Sequence, residues 1–199
     1  MQKKTKIAFF GGEPLGLPAL QALCNTGLKP SLVVCNPDRQ SGRGLELQAP
    51  KIKLWAETQG IEVFQPTSYK DKSALTSLTE TDWDLFVVVA YNFILPKWFL
   101  ELPKHGVINV HPSLLPKLRG ASPIRTAILE NLRAEVGVSI MLMDEKMDHG
   151  PLLTQVPLAL NDWPIEGPML DDMLGQIGGE ILSTENDAFE DFKRFPFKL

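Results

Sequence analysis

Residues 84–90, DLFVVVA, make a nearly unbroken apolar run with β-branched residues at its centre, the pattern of a strand buried on both faces. Residues 106–110, GVINV, repeat it. Working outward, residues 5–10 (TKIAFF) are a short, mostly apolar stretch that ends in Gly11-Gly12. Pro14 and the helical pattern LGLPALQAL follow, closed by Gly27, so the order is strand, turn, helix. Residues 31–35 (SLVVC) are β-branched between Pro30 and Asn36-Pro37, and residues 51–59 have helical composition and lead into the strand-like IEVF. Downstream, residues 136–143 (VGVSIMLM) and 151–156 read as two further strands, and 169–181 as a closing helix. This alternation predicts an α/β fold, a mostly parallel, doubly wound sheet with helices on both faces. There is no internal repeat or low-complexity linker, and the Phe-rich, charged last fifteen residues have no clear pattern.

A chain of 199 residues with 44% apolar content suits one globular domain. The opening MQKKTK leads into an apolar run too short for a secretory segment or a membrane span, so the expectation is a cytoplasmic protein with no membrane partner. Cys24 and Cys35 lie eleven apart in a helix-like and a strand-like segment, which suggests neither a disulfide framework nor a zinc site; both are expected to be reduced and buried. The net charge of −4 argues against non-specific affinity for polyanions, so any nucleic-acid contact must be local. Gly11, Gly12 and Gly16 do not meet the G-x-G-x-x-G spacing and Pro14 interrupts the loop, so NAD is not expected, and with no zinc pattern at the cysteines no metal is expected either.

Open α/β sheets bind ligands beyond the carboxyl ends of their strands. GVINV ends there in Asn109 and His111, alternate residues whose side chains project to the same side. An amide N–H stabilises a developing oxyanion and an imidazole moves protons near neutral pH, a pairing suited to acyl-group chemistry. The loop that follows, HPSLLPKLRGASPI (111–124), holds a Leu-Leu pair beside this polar site with three prolines and a glycine, which has the look of a shaped binding loop. Residues 143–151 (MDEKMDHGP) add Asp144, Glu145 and Asp148 in a glycine-ended turn. A carboxylate near His111 orients it and raises its pKa, and by spacing alone Asp144 serves as well as Asp148.

INVHPSLLPKLRGASPI followed by GVSIMLMDEKMDHGP resembles the active-site signature of the 10-formyltetrahydrofolate-dependent formyltransferases, and within them the methionyl-tRNA formyltransferase branch. FFGGEPLGLPALQAL, NPDRQSGRGLELQAPKIKLWAETQGIEVFQP and DLFVVVAYNFILPK resemble successive blocks of the same family, over residues 5–160. Glycinamide ribonucleotide formyltransferases share Asn-x-His-Pro-Ser-Leu-Leu-Pro but continue with a histidine-containing segment where this chain has RGASPI. The resemblance implies the Rossmann-like formyltransferase fold and a catalytic trio of Asn109 (oxyanion), His111 (proton transfer) and Asp148 (orienting and charging His111). It also implies 10-formyltetrahydrofolate as formyl donor, held by Ser113, Leu114, Leu115 and Pro116, with Phe93, Ile94 and Leu95 and the stretch 141–147, including Met143 and Asp144, flanking the pterin.

The loop 36–50, basic at Arg39 and Arg43, matches the family's loop toward the tRNA acceptor end, with Arg43 on its key basic position. Where the family usually has lysines this chain has Leu45-Glu46-Leu47, which lowers the expected electrostatic affinity for tRNA. Family members usually add a basic β-barrel of roughly a hundred residues. The expectation here is a catalytic domain over 1–185, a tail over 186–199 and no barrel, whether as a natural short form, a truncated frame or an excised core. The resulting expectation is a monomeric formyltransferase acting on initiator methionyl-tRNA. The alternatives are a small amine acceptor such as an amino sugar or glycinamide ribonucleotide, a folate-binding module with little activity, or a hydrolase releasing formate.

Overall fold

The apolar runs form the centre of a seven-stranded sheet in the computed structural model, which describes residues 5–41 and 45–184. In chain order the elements are β1 (Ile7–Gly11), α1 (Gly16–Asn25), β2 (Leu32–Cys35), β3 (Arg39–Ser41), β4 (Glu46–Gln48), α2 (Lys51–Thr58) and β5 (Glu62–Phe64). A 3-10 turn (Lys72–Leu75) then runs into α3 (Thr76–Thr79), β6 (Leu85–Val89), α4 (Lys97–Leu100) and β7 (Val107–His111). The chain continues through α5 (Pro123–Leu129), β8 (Gly137–Leu142), β9 (Leu152–Pro157) and α6 (Gly167–Thr184). The strand order is β5-β2-β1-β6-β7-β8-β9. The strands from β5 to β7 pair in parallel, while β7–β8 and β8–β9 are antiparallel.

The central strands are apolar throughout because each serves two cores. Ile7 and Phe9 of β1 with Leu85, Val87 and Val89 of β6 join Leu20, Ile124, Leu170 and Leu174 on one face. Ala8 and Phe10 with Phe86 and Val88 join Leu75, Leu78 and Phe99 on the other. There the rings of Phe10, Phe86 and Phe99 lie 4.9–5.7 Å apart, tilted or edge-on, the arrangement ring quadrupoles favour. On the first face α6 lies directly against α1: a Cβ at Gly179 would sit 2.3 Å from the Ala19 carbonyl oxygen, and one at Gly175 2.6 Å from Pro18 Cγ. Only glycine permits that approach.

The strand order reverses between β1 and β6, since the chain leaves β1 toward β2 and returns to its other side as β6. Gly12 closes this switch point. Its N–H donates to Val89 O at 2.9 Å, and a Cβ there would lie 1.8 Å from Ala90 O.

Several expectations need correcting. The loop 36–50 is not wholly irregular: β3 and β4 pair antiparallel, Arg39 opposite Gln48, and Lys53 bridges Asp38 at 3.0 Å at the base of this hairpin. The loop after His111 ends in a helix, with Pro123 at its first turn, where a missing N–H costs nothing. Cys35 is fully buried, but Cys24 only half-buried; both are free. Burial pushes the Cys35 thiol up to about 12, which keeps it protonated and unreactive. Arg43 and the tail 186–199 lie outside the described residues.

Candidate active site

A cleft of about 600 Å³ opens at the carboxyl ends of β1, β6 and β7, where the doubly wound topology places binding sites. It straddles the two faces of the sheet. Leu15 and Ile124, which pack with the first core, line one wall, and Tyr91, Phe93, Leu95 and Met143, which pack with the second, line the other. Asn109 and His111, at the end of β7, belong to the lining between them.

Strand alternation puts the Asn109 and His111 side chains on one side of β7. Asp148 reaches them from the loop between β8 and β9 and has φ +49°, a left-handed conformation that aspartate tolerates better than most residues. Its Oδ1 accepts from Asn109 Nδ2 at 3.4 Å and lies 3.5 Å from His111 Nδ1. Its Oδ2 accepts from the Gly120 N–H at 2.8 Å. The trio therefore meets on one carboxylate. Asp144, equal to Asp148 by spacing, is engaged elsewhere: it accepts from the Lys146 N–H at 2.8 Å and pairs with His149 Nδ1 at 3.3 Å.

The other nitrogen of His111, Nε2, lies 3.1 Å from Leu118 O. Both ring nitrogens thus face oxygen acceptors, although the side chain is 5% exposed. Burial holds the His111 pKa below its ordinary 6.5, against the upward pull of Asp148 and of the Leu118 carbonyl. The expected rise is corrected, because desolvation outweighs the carboxylate. The resting ring is neutral at pH 7, and a proton reaching it finds both acceptors in place.

Of the remaining sequence candidates, Phe93, Ile94, Leu95, Met143 and Asp144 line the cleft. Phe93 and Leu95 do so while packed with the second core, whereas Ile94 and the neighbouring Met147 stand exposed at the mouth. The segment Ser113, Leu114, Leu115 and Pro116 does not line it. Ser113 Oγ donates to Lys117 O, and Ser139 Oγ on β8 donates to Ser113 O and accepts from the Leu115 N–H. Leu114 packs over Gly137, and Pro116 is exposed. These residues hold the loop's shape from behind. Arg39, exposed on β3, is likewise outside the cleft lining.

The sequence reading missed Glu13, Arg125 and Asp171, all of which line the cleft. One signal was available: Asp171 falls on the helical stripe of Leu174, Gly178 and Ile181, where a carboxylate interrupts an otherwise apolar or small face.

A neutral, buried imidazole beside an amide donor, one strand from the switch point of a doubly wound sheet, is an arrangement that suits acyl-group chemistry. The chain belongs to the formyl transferase family, whose sequence profile matches residues 5–161. It is 43% identical over 176 residues to methionyl-tRNA formyltransferase of Thermodesulfovibrio yellowstonii, covering 88% of this chain and 56% of that protein. It is 42% identical over 178 residues to methionyl-tRNA formyltransferase of a Geobacillus species, covering 89% and 55%. The chain thus spans about half the length of the curated relatives it matches. Among solved structures, phosphoribosylglycinamide formyltransferase of Streptococcus pneumoniae shares the fold, with a TM-score of 0.69 at 21% identity over 94% of this chain and 99% of that one.

Proposed function

We propose that this chain transfers the formyl group of 10-formyltetrahydrofolate to an amine, and that the amine is the α-amine of initiator methionyl-tRNA. The convergence of Asn109, His111 and Asp148 at the end of β7 carries the reaction type. The choice of acceptor follows the relatives named methionyl-tRNA formyltransferase. Residues 1–185 are taken as the catalytic unit, acting as a monomer in the cytoplasm. Among the described residues no helix is long and apolar enough to cross a membrane.

In this reading the amine nitrogen attacks the formyl carbon, a new N–C bond forms, and the bond to the folate nitrogen breaks. Asn109 Nδ2 has one N–H on Asp148 and a second free to meet the oxyanion. His111 takes the proton from the attacking amine along its Nδ1 edge, the longer of its two contacts, and returns it to the departing folate nitrogen. Asp148 holds both groups in register and stabilises the transient imidazolium. The wall of Phe93, Leu95 and Met143 packs the pterin, and backbone groups there and along 141–147 recognise its edge. Ser113–Pro116 contribute by fixing the loop.

Incubation with 10-formyltetrahydrofolate and charged initiator tRNA should yield formyl-methionine. No product even at low salt would remove the tRNA from the proposal, and His111→Ala retaining turnover would remove the proton-transfer role. One observation favours a second acceptor class: Leu45, just before β4, and Leu47 on it are 63% and 69% exposed, where a tRNA contact calls for cations. The same assay with amino sugars and glycinamide ribonucleotide tests it. Acceptor-independent formate release would mark a hydrolase, and folate binding without any transfer a binding module.

A further inference from the structure

The chemistry above leaves an ion pair of the first wall unused. Arg125 on α5 and Asp171 on α6 form a bidentate pair, Nη1 to Oδ1 at 3.0 Å and Nη2 to Oδ2 at 2.5 Å. Asp171 is 3% exposed, whereas the Arg125 side chain is about half exposed, and both line the cleft. Gly167, at the start of α6, leaves room for the guanidinium: a Cβ there would lie 2.6 Å from Nη1.

Stability alone does not account for this pair. Well-packed apolar residues at both positions would hold α5 to α6 as well or better, because burying a carboxylate costs solvation that the ion pair only repays. What the pair supplies is a planar, permanently charged fork held in one orientation. Asp171 occupies one N–H on each Nη, so Nε–H and the outer N–H groups remain for a ligand. The first wall is otherwise acidic or apolar, with Glu13, Pro14, Leu15, Pro123 and Ile124, and the lysine of the lining, Lys146, belongs to the opposite loop. An anionic group on this wall has one cation to meet.

We propose that Arg125, clamped by Asp171, recognises a phosphate ester carried by the amine acceptor. This rests on the reading that the acceptor occupies the first wall while folate occupies the second. The phosphate belongs either to a terminal nucleotide or to a small phosphorylated amine, and both present the paired oxygens that a guanidinium fork matches.

The test is calorimetric binding of adenosine 5′-monophosphate and of adenosine to the 199-residue chain, compared among wild type, Arg125→Ala and Arg125→Lys. The phosphate should tighten binding about 10- to 100-fold in the wild type, as charge-assisted hydrogen bonds do. Arg125→Ala should erase that preference and Arg125→Lys keep part of it. Gly167→Ala, which crowds Nη1, should weaken it and serves as the test if Arg125→Ala does not fold. Cytidylyl-adenosine and glucosamine 6-phosphate in place of the monophosphate separate a nucleotide source from a small-amine source. Equal binding of the two adenosine compounds by wild type would overturn the proposal. So would a preference that survives Arg125→Ala, including the case where that variant only melts earlier. Because the readout is binding, absence of formyl transfer would defeat the proposed function and leave this result standing.

Discussion

Asp148→Asn is nearly isosteric but removes the charge on which the trio converges. At 3.5 Å, an imidazolium and a carboxylate attract by about 5 kcal/mol at an effective dielectric of about 20, equivalent to about three and a half decades in rate. That is a ceiling, since the carboxylate also serves Asn109 and Gly120. An asparagine offers one oxygen to those two donors, so either Asn109 or the Gly120 loop loses its acceptor. We expect kcat to fall between about 10- and 1,000-fold, with the far-ultraviolet circular dichroism unchanged. The pH profile gives a second readout. Asp148 pulls the His111 pKa upward against burial, so removing it should move the acid limb of kcat/KM to still lower pH. A variant that keeps wild-type kcat, or whose acid limb moves up, would refute the assignment of Asp148 to His111.

The same pKa has a consequence for stability. Because burial depresses His111 in the folded state, the unfolded chain binds the proton first as pH falls. Stability should therefore be complete above 6.5 and decline below it, and His111→Gln should flatten that part of the urea-denaturation profile. Gly12→Ala drives a Cβ against the Ala90 carbonyl and should cost about 3 kcal/mol or more; a midpoint unchanged in urea would contradict the packing at the switch point. Ser139→Ala leaves the buried Leu115 N–H without its acceptor, at a cost of about 2–3 kcal/mol. If Ser113–Pro116 act through loop shape, the KM for folate should rise in this variant as the melting temperature falls. Leu45→Lys with Leu47→Lys, at exposed sites beside and on β4, should leave stability unchanged and steepen the salt dependence of tRNA binding by about one to two units in log–log slope. An unaltered slope would place the hairpin away from the nucleic acid.

Much of the sheet was legible in the sequence because its central strands are buried on both faces: DLFVVVA and GVINV have few polar residues to obscure their period. Some short elements were not, since Arg39–Ser41, Thr76–Thr79 and Lys97–Leu100 each offer less than a full hydrophobic repeat. The site divides in the same way. Asn109 and His111 are two residues apart on one strand, so local geometry alone puts them together. Asp148 lies 39 residues from Asn109, and its preference over Asp144 depends on how the β8–β9 loop turns back, with Asp148 in the left-handed region. Spacing carries no record of that turn.

By itself, then, the sequence determined the alternation of strands and helices, the carboxyl-end position of the Asn109–His111 pair and the family resemblance, all of which follow from residues near one another in the chain. Only the tertiary structure decided which carboxylate meets His111, that burial outweighs that carboxylate in setting its charge, that Ser113–Pro116 support the cleft without lining it, and that Arg125 is held by Asp171. Each of these depends on desolvation or on contact between distant segments, and those quantities come into being only when the sheet and its helices close over the site.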